Sequence, residues 1–262
     1  MGKKLANAPV YYTVAQVQFN PILNLDSYLP AIQARMREMR FPDYRHDMVQ
    51  RVMLPGMSVD GAQLAMSAQS RHVFGDMSGR ELFLLEANAL SFQSTSYETF
   101  EQFSKALMDG LEIVHRALDL TFVERIGLRY LDAVFPLNGG ETLADYLVQQ
   151  VLGHALSEDG QLLHSLSETA TSTTCGQLLA RVFIRHGDVG LPLDLSAMAP
   201  VIDTRFTSRE AAIHAILDTD ASRTEREPFD LEKISGHLTA LHDDISRAFA
   251  KTVTPHALAV WA

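Results

Sequence analysis

The chain has 262 residues, enough to bury a full core as one large domain or two small ones. Hydrophobic residues make up 47% and charged residues 21%, which excludes a disordered chain and predicts independent folding. The net charge of −10 is spread along both halves with no clustered run of Lys and Arg, so nucleic acid is not expected as a partner and a basic protein is.

The single Cys175 cannot close an internal disulfide, and the first residues lack the apolar run of a secretory signal, so a reducing, cytoplasmic setting is expected. No stretch approaches the roughly 20 apolar residues of a membrane-spanning helix, and no membrane association is expected.

Residues 10–19 alternate Tyr11, Thr13, Ala15, Val17 and Phe19 against Tyr12, Val14, Gln16 and Gln18, which predicts a strand. Asp26 or Ser27 can cap a helix to about residue 39, with Tyr28, Leu29, Ile32, Met36 and Met39 at helical spacing. Residues 40–70 are broken by Pro42, Pro55, Gly56 and Gly61 and read as a long connection with one edge strand near 63–68. Strands are predicted at 72–74 and 81–93, separated by a turn at 76–79. Thr99 and Gln102 have capping-box spacing, and Phe100, Phe103, Leu107, Leu111, Val114 and Leu118 form the clearest helical stripe. Residues 122–135 return to strand, with Val123, Arg125, Gly127, Arg129 and Leu131 on one face and Phe122, Glu124, Ile126, Leu128 and Tyr130 on the other.

The pattern then restarts. An amphipathic helix carries Leu143, Tyr146, Leu147, Val151 and Leu152, a polar interval spans 156–171, strands follow at 175–185 and 211–219, and a long helix at 229–252 closes the chain. This order predicts an α+β fold of two diverged β-α-β-β-α repeats, residues 1–120 and 121–262, each an antiparallel sheet packed by a long helix. The two sheets could also join edge to edge as one fused domain.

Asn7-Ala8-Pro9-Val10 opening the first strand, Arg125-Ile126-Gly127-Leu128-Arg129-Tyr130, and the closing helix with Trp261 resemble a sporadically distributed, functionally uncharacterised bacterial family of similar length. The resemblance covers nearly the whole chain and implies a cytoplasmic bacterial protein of patchy occurrence, as for mobile or defence-associated genes. It brings no catalytic residue. Tyr12 stands where that family usually has an acidic residue, and Gln16 and Gln18 where charged residues are common.

Arg125 and Arg129 share a strand face with Gly127 between them, so two guanidinium forks could flank a carboxylate or phosphate, with Tyr130 beside them. The ordinary alternative is structural pairing with nearby acids. His214, Asp218 and Asp220 share one face of a predicted strand and are weak metal candidates, because strand spacing spreads them over roughly 20 Å. A loop or capped helix start at 218–222 is the expected reading there. His237, His242, Asp243 and Asp244 read as a solvated face of the last helix, and Cys175 as a small buried hydrophobe. Methionines concentrate between positions 36 and 66, and Met48, Met53 and Met57 are candidates for an adaptable contact surface, against ordinary core filling.

No cofactor or metal is implied, and no catalytic motif is present. The expected function is a non-enzymatic protein-interaction component, antitoxin-, immunity- or defence-associated, with a basic protein partner. A small-molecule binding module with an anionic-ligand site and a metal-dependent enzyme of unfamiliar type are the alternatives. An exposed strand edge could support a homodimer.

Overall fold

A computed structural model describes residues 7–53, 65–154, 162–196, 199–208 and 212–262. Its strands are β1 (Val10–Phe19), β2 (Asp43–Met53), β3 (Ala65–Gly75), β4 (Glu81–Glu86), β5 (Ala89–Ser94), β6 (Phe122–Val134), β7 (His164–Ser172), β8 (Gln177–Gly187) and β9 (Ala212–Pro228). The helices are α1 (Leu29–Glu38), α2 (Phe100–Leu118), α3 (Leu143–Tyr146), α4 (Thr204–Thr207), α5 (Leu231–Thr252) and α6 (Pro255–Trp261).

All nine strands belong to one antiparallel sheet in the order β2-β3-β4-β5-β1-β6-β9-β8-β7. This corrects the expectation of two β-α-β-β-α repeats with a sheet each. The first strand of each half lies at the centre, and β1 pairs directly with β6 through Thr13 opposite Tyr130 and Ala15 opposite Leu128. The sheet therefore runs unbroken across positions 120 and 121, and four strands follow α1 whereas three follow α3.

Three local readings are corrected with it. The connection at 40–70 contains β2, an edge strand paired with β3 from Asp43–Gly75 inward. The stretch 81–93 is a hairpin, because the chain reverses at Ala87 and Asn88 and Glu86 pairs with Ala89. The polar interval before residue 171 contains β7, the other edge strand, whose exposed side chains carry no apolar alternation. Edge strands face solvent on more sides than central ones, so period-two hydrophobicity is weakest there.

Helices α1, α2 and α5 lie on one face. Leu107, Leu111 and Val114 of α2 and Ile234, Leu238 and Leu241 of α5 are buried against Val17, Phe92, Ile126 and Leu128 of the sheet. Each such side chain contributes about 1.5–3 kcal/mol on burial. Thr99 caps α2 by accepting from the Gln102 N–H at 3.3 Å. Gly110 lets α2 sit close to the sheet, since a Cβ there would lie 2.4 Å from the Phe83 ring. Met36 is fully buried in this core, as gap filling predicts. A second cluster seats α3 and α6 through Tyr146, Leu147, Ala257 and Trp261 on Val182 and Leu217.

The opposite face is only partly covered. Val189, Leu191, Leu195, Ile202 and Phe206 from the segment between β8 and β9 lie on Tyr11, Leu131, Phe135 and Ile216. Arg80 and Asp203 tie that segment to the sheet at 2.8 Å. Beyond that segment, Val73, Leu82 and Leu84 form a small buried apolar patch on β3 and β4, and the hollow beside it is lined mainly by polar and charged side chains. Among the described residues no helix is long and apolar enough to cross a membrane.

Candidate functional site

Side chains alternate across an antiparallel strand, so the segment Arg129 to Asp132 of β6 sends neighbours to opposite sides of the sheet. Arg125 and Arg129 face the open side, whereas Tyr130 points under the helices. The predicted cluster of these three residues is therefore divided by the sheet itself.

On the open side, Arg129 is 8% exposed and fully committed. Its Nε and Nη2 donate to the two oxygens of Asp218 at 2.7 and 2.8 Å, and its Nη1 donates to Asp194 at 2.6 Å. Arg181 donates to the same Asp218 at 2.9 Å and to Glu168 at 2.8 Å. The structural alternative holds for Arg129, because a bidentate pair at this depth neutralises a charge that could not otherwise stay buried. Arg125 differs. Its guanidinium lies over Gly127, where a Cβ would come within 2.8 Å of Nη1, and its one hydrogen bond among the described residues is to Gln16 at 3.5 Å.

Residues 218–222 are mid-strand, paired on both sides with β6 and β8, which corrects the predicted loop or helix start. His214, Asp218 and Asp220 do share a face, yet they stay strung out along β9. Among the described residues no three His, Cys, Asp or Glu side chains are grouped to hold a metal. His214 is fully buried beside Phe135 with Nδ1 bonded to the Ala212 carbonyl at 3.1 Å. Met48 is exposed on edge strand β2, Met53 ends that strand with a side chain that is not described, and Met57 lies outside the described residues. Cys175 is half-buried in the turn before β8, touching the core.

Beneath the helices, the start of α2, the middle of α5 and the beginning of β1 close around Tyr130 and Asp132 to leave a pocket of about 240 Å³. Its walls are aromatic: Tyr97 stands edge-on to Tyr130 at 5.2 Å, and Phe100 is stacked on His242 at 4.1 Å. The polar tips largely satisfy one another. The Tyr130 hydroxyl donates to the Tyr97 hydroxyl at 3.2 Å and meets His242 Nδ1 at 3.3 Å, and His242 Nε2 meets the Ser246 hydroxyl at 3.4 Å.

Asp132 is the exception. It is 6% exposed, lines the pocket, and has neither a hydrogen bond nor an ion pair from its carboxyl among the described residues. Burial alone pushes its pKa up to about 7. Burial also raises Tyr97 to about 12 and Tyr130 well above the phenol range, with Asp132 and Glu101 adding to both, so both stay protonated. The His242 pKa is lowered by burial, against the pull of Asp243 and Glu101, and its ring is neutral near pH 7. The interior is thus rich in π faces and acceptors, with Glu98 and Glu101 also lining it and no Lys or Arg side chain among its described lining residues.

Tyr97, Asp132 and His242 were not legible as a site in the sequence. Asp132 continues the apolar face of Ile126, Leu128 and Tyr130, and a carboxylate in register with an apolar strand face is the signal that marks it. The last-helix group is not a uniformly solvated face: His242 is half-buried and Asp244 is buried beside Arg247.

Fold and pocket together define an α+β protein of one antiparallel sheet, covered by helices on one side, with an aromatic and acidic pocket beneath them. No family model and no curated protein matches the chain.

Proposed function

We propose that this chain is a non-enzymatic interaction component that receives a cationic side chain of a basic partner protein in the pocket between α2, α5 and β6. The observation that carries the reading is Asp132, a buried carboxyl open to a pocket and lacking, among the described residues, any partner of its own. An unpaired buried charge costs several kcal/mol, and an incoming ammonium or guanidinium supplies both the missing counter-charge and the missing hydrogen-bond donors. Tyr97, Tyr130 and Phe100 present ring faces and edges to the same space, and cations are held by such faces. The chain's overall charge of −10 would steer a basic partner toward it. Its single cysteine suits a reducing cytoplasm.

The test uses n-butylammonium, a lysine side-chain mimic, in a titration followed by NMR on wild type and Asp132→Asn, with a pull-down from the native host using the same two proteins. Saturable shifts at Tyr130 and Asp132 that vanish in Asp132→Asn, with loss of one basic partner from the pull-down, are the expected result. Equal shifts in both proteins overturn the reading. Binding of the amine with no partner sensitive to Asp132 replaces the protein partner by a free small amine.

A further inference from the structure

The open face of the sheet carries a second hollow, of about 270 Å³, between the polar ends of β5, β1, β6 and β9 and the segment that brings Asp194 and Leu195. Most charges in it cancel in place. Arg71 is paired with Glu86 at 2.7 Å, and Arg129 with Asp218 and Asp194. Two charges do not: among the described residues Arg125 makes no ion pair, and Asp220 makes neither an ion pair nor a hydrogen bond.

Register places them together. Gln16, Gly127 and Ser222 form one row across β1, β6 and β9, and Arg129 with Asp220 forms the next. Arg125 starts one row away on the other side, opposite Thr224, but folds over Gly127 so that its guanidinium occupies the Gly127 row. Only glycine permits this, since a Cβ at 127 would meet Nη1 at 2.8 Å. Asp220 lies in the neighbouring row, beyond ion-pair distance of that guanidinium, which is still the largest charge acting on it; burial raises its pKa, and Arg125 and then Arg129 oppose the rise.

The floor between them adds polar capacity. Gln16 Nε2 donates to the Ser91 hydroxyl at 3.1 Å, leaving that hydroxyl's own proton free. Gln93 accepts from Tyr12 at 3.0 Å through Oε1, leaving its amide N–H groups free. Donors thus cluster with Arg125, and among the described lining residues the unshared carboxyl is that of Asp220.

We propose that this hollow binds a small zwitterion of the α-amino-acid type, its carboxylate on the Arg125 fork and its ammonium on Asp220. A simple anion would leave Asp220 unanswered and repelled, and a simple amine would leave Arg125 so. Only a ligand with both charges a few bonds apart satisfies the two at once. The site lies on the other side of the sheet from the cation pocket and stands independently of it.

The experiment titrates the 262-residue chain with each common L-amino acid at millimolar concentration, reading the backbone amides of Gly127 and Ser222 by NMR. At least one amino acid is expected to give saturable shifts, while acetate and methylammonium bind at least about tenfold more weakly, the scale of one lost charge-assisted contact. Arg125→Gln and Asp220→Asn should each cost a similar factor. Arg125→Lys, which keeps charge but not the fork, should fall between wild type and Arg125→Gln. Thermal melts of each variant separate lost binding from lost folding. No shift with any amino acid overturns the proposal, and so does acetate binding as tightly as the best amino acid with Asp220→Asn unchanged or improved, which would make the hollow an anion site only.

Discussion

Two faces of β6 carry buried charge and treat it in opposite ways. On the open face Arg129 is met by two carboxylates, with Arg181 completing the arrangement around Asp218. Under the helices, three residues along, Asp132 is buried to a similar depth and met by none among the described residues. A buried charge surrounded by fixed counter-charges is part of the framework, whereas one left open to a cavity keeps its binding capacity for something that arrives.

The largest expected effect lies on the framework side. Arg129→Ala leaves Asp218 short of its bidentate partner and should lower unfolding free energy by about 3–5 kcal/mol in a denaturant titration. Arg129→Gln combined with Asp218→Asn should recover part of that loss; if the double variant is as unstable as the two losses added, the pair is not the reason for the cost.

Asp132 should behave in the reverse sense. Its folded pKa of about 7 stands above that of the unfolded chain, so the folded state holds a proton the unfolded state has released. Wild-type stability should therefore fall as pH rises from about 4 to about 7. Asp132→Asn removes that slope and should gain up to ~4 kcal/mol above pH 7. A slope equal in both proteins would mean that the carboxyl is solvated or paired in solution.

Helix seating tests the covered face without touching charge. Leu107→Ala, at a fully buried position of α2, should cost about 2–5 kcal/mol. Because α2 also forms one wall of the pocket, butylammonium affinity should fall with it, and unchanged affinity would show that the pocket does not depend on how α2 is seated.

The smallest expected effect separates Arg125 from Arg129. Arg125→Gln removes a half-buried guanidinium with no ion pair among the described residues and should change stability by less than about 0.5 kcal/mol. A loss on the scale of Arg129→Ala would place both arginines in the framework and end the contrast between them.

The periodic stripes of α2 and α5 were legible in the sequence, because Leu107, Leu111 and Val114, or Ile234, Leu238 and Leu241, recur at the helix's own repeat. Central strands such as β1 and β6 were legible for the same kind of reason. Edge strands β2 and β7 were not, since β7 is mostly polar on both faces and β2 intersperses Tyr44, Met48 and Val52 with His46 and Gln50 opposite a largely charged face. The hairpin at Ala87 and Asn88 was hidden because β4 and β5 are both largely buried and read as one apolar run. Pairing of Arg129 was weighed in the sequence, but its partners Asp218 and Asp194 lie 89 and 65 residues away.

By itself the sequence determined what is local: helical and strand periodicity, the cap at Thr99, the alternation that puts Arg129 and Asp132 on opposite faces, and the net acidity. Tertiary structure decided that two predicted sheets are one, by setting β1 beside β6, and it decided which charges are neutralised. The reason is physical. Side-chain spacing along a strand follows from backbone geometry within a few residues, whereas a strand's neighbour and a buried charge's partner are chosen across the chain by what else must be buried at the same time.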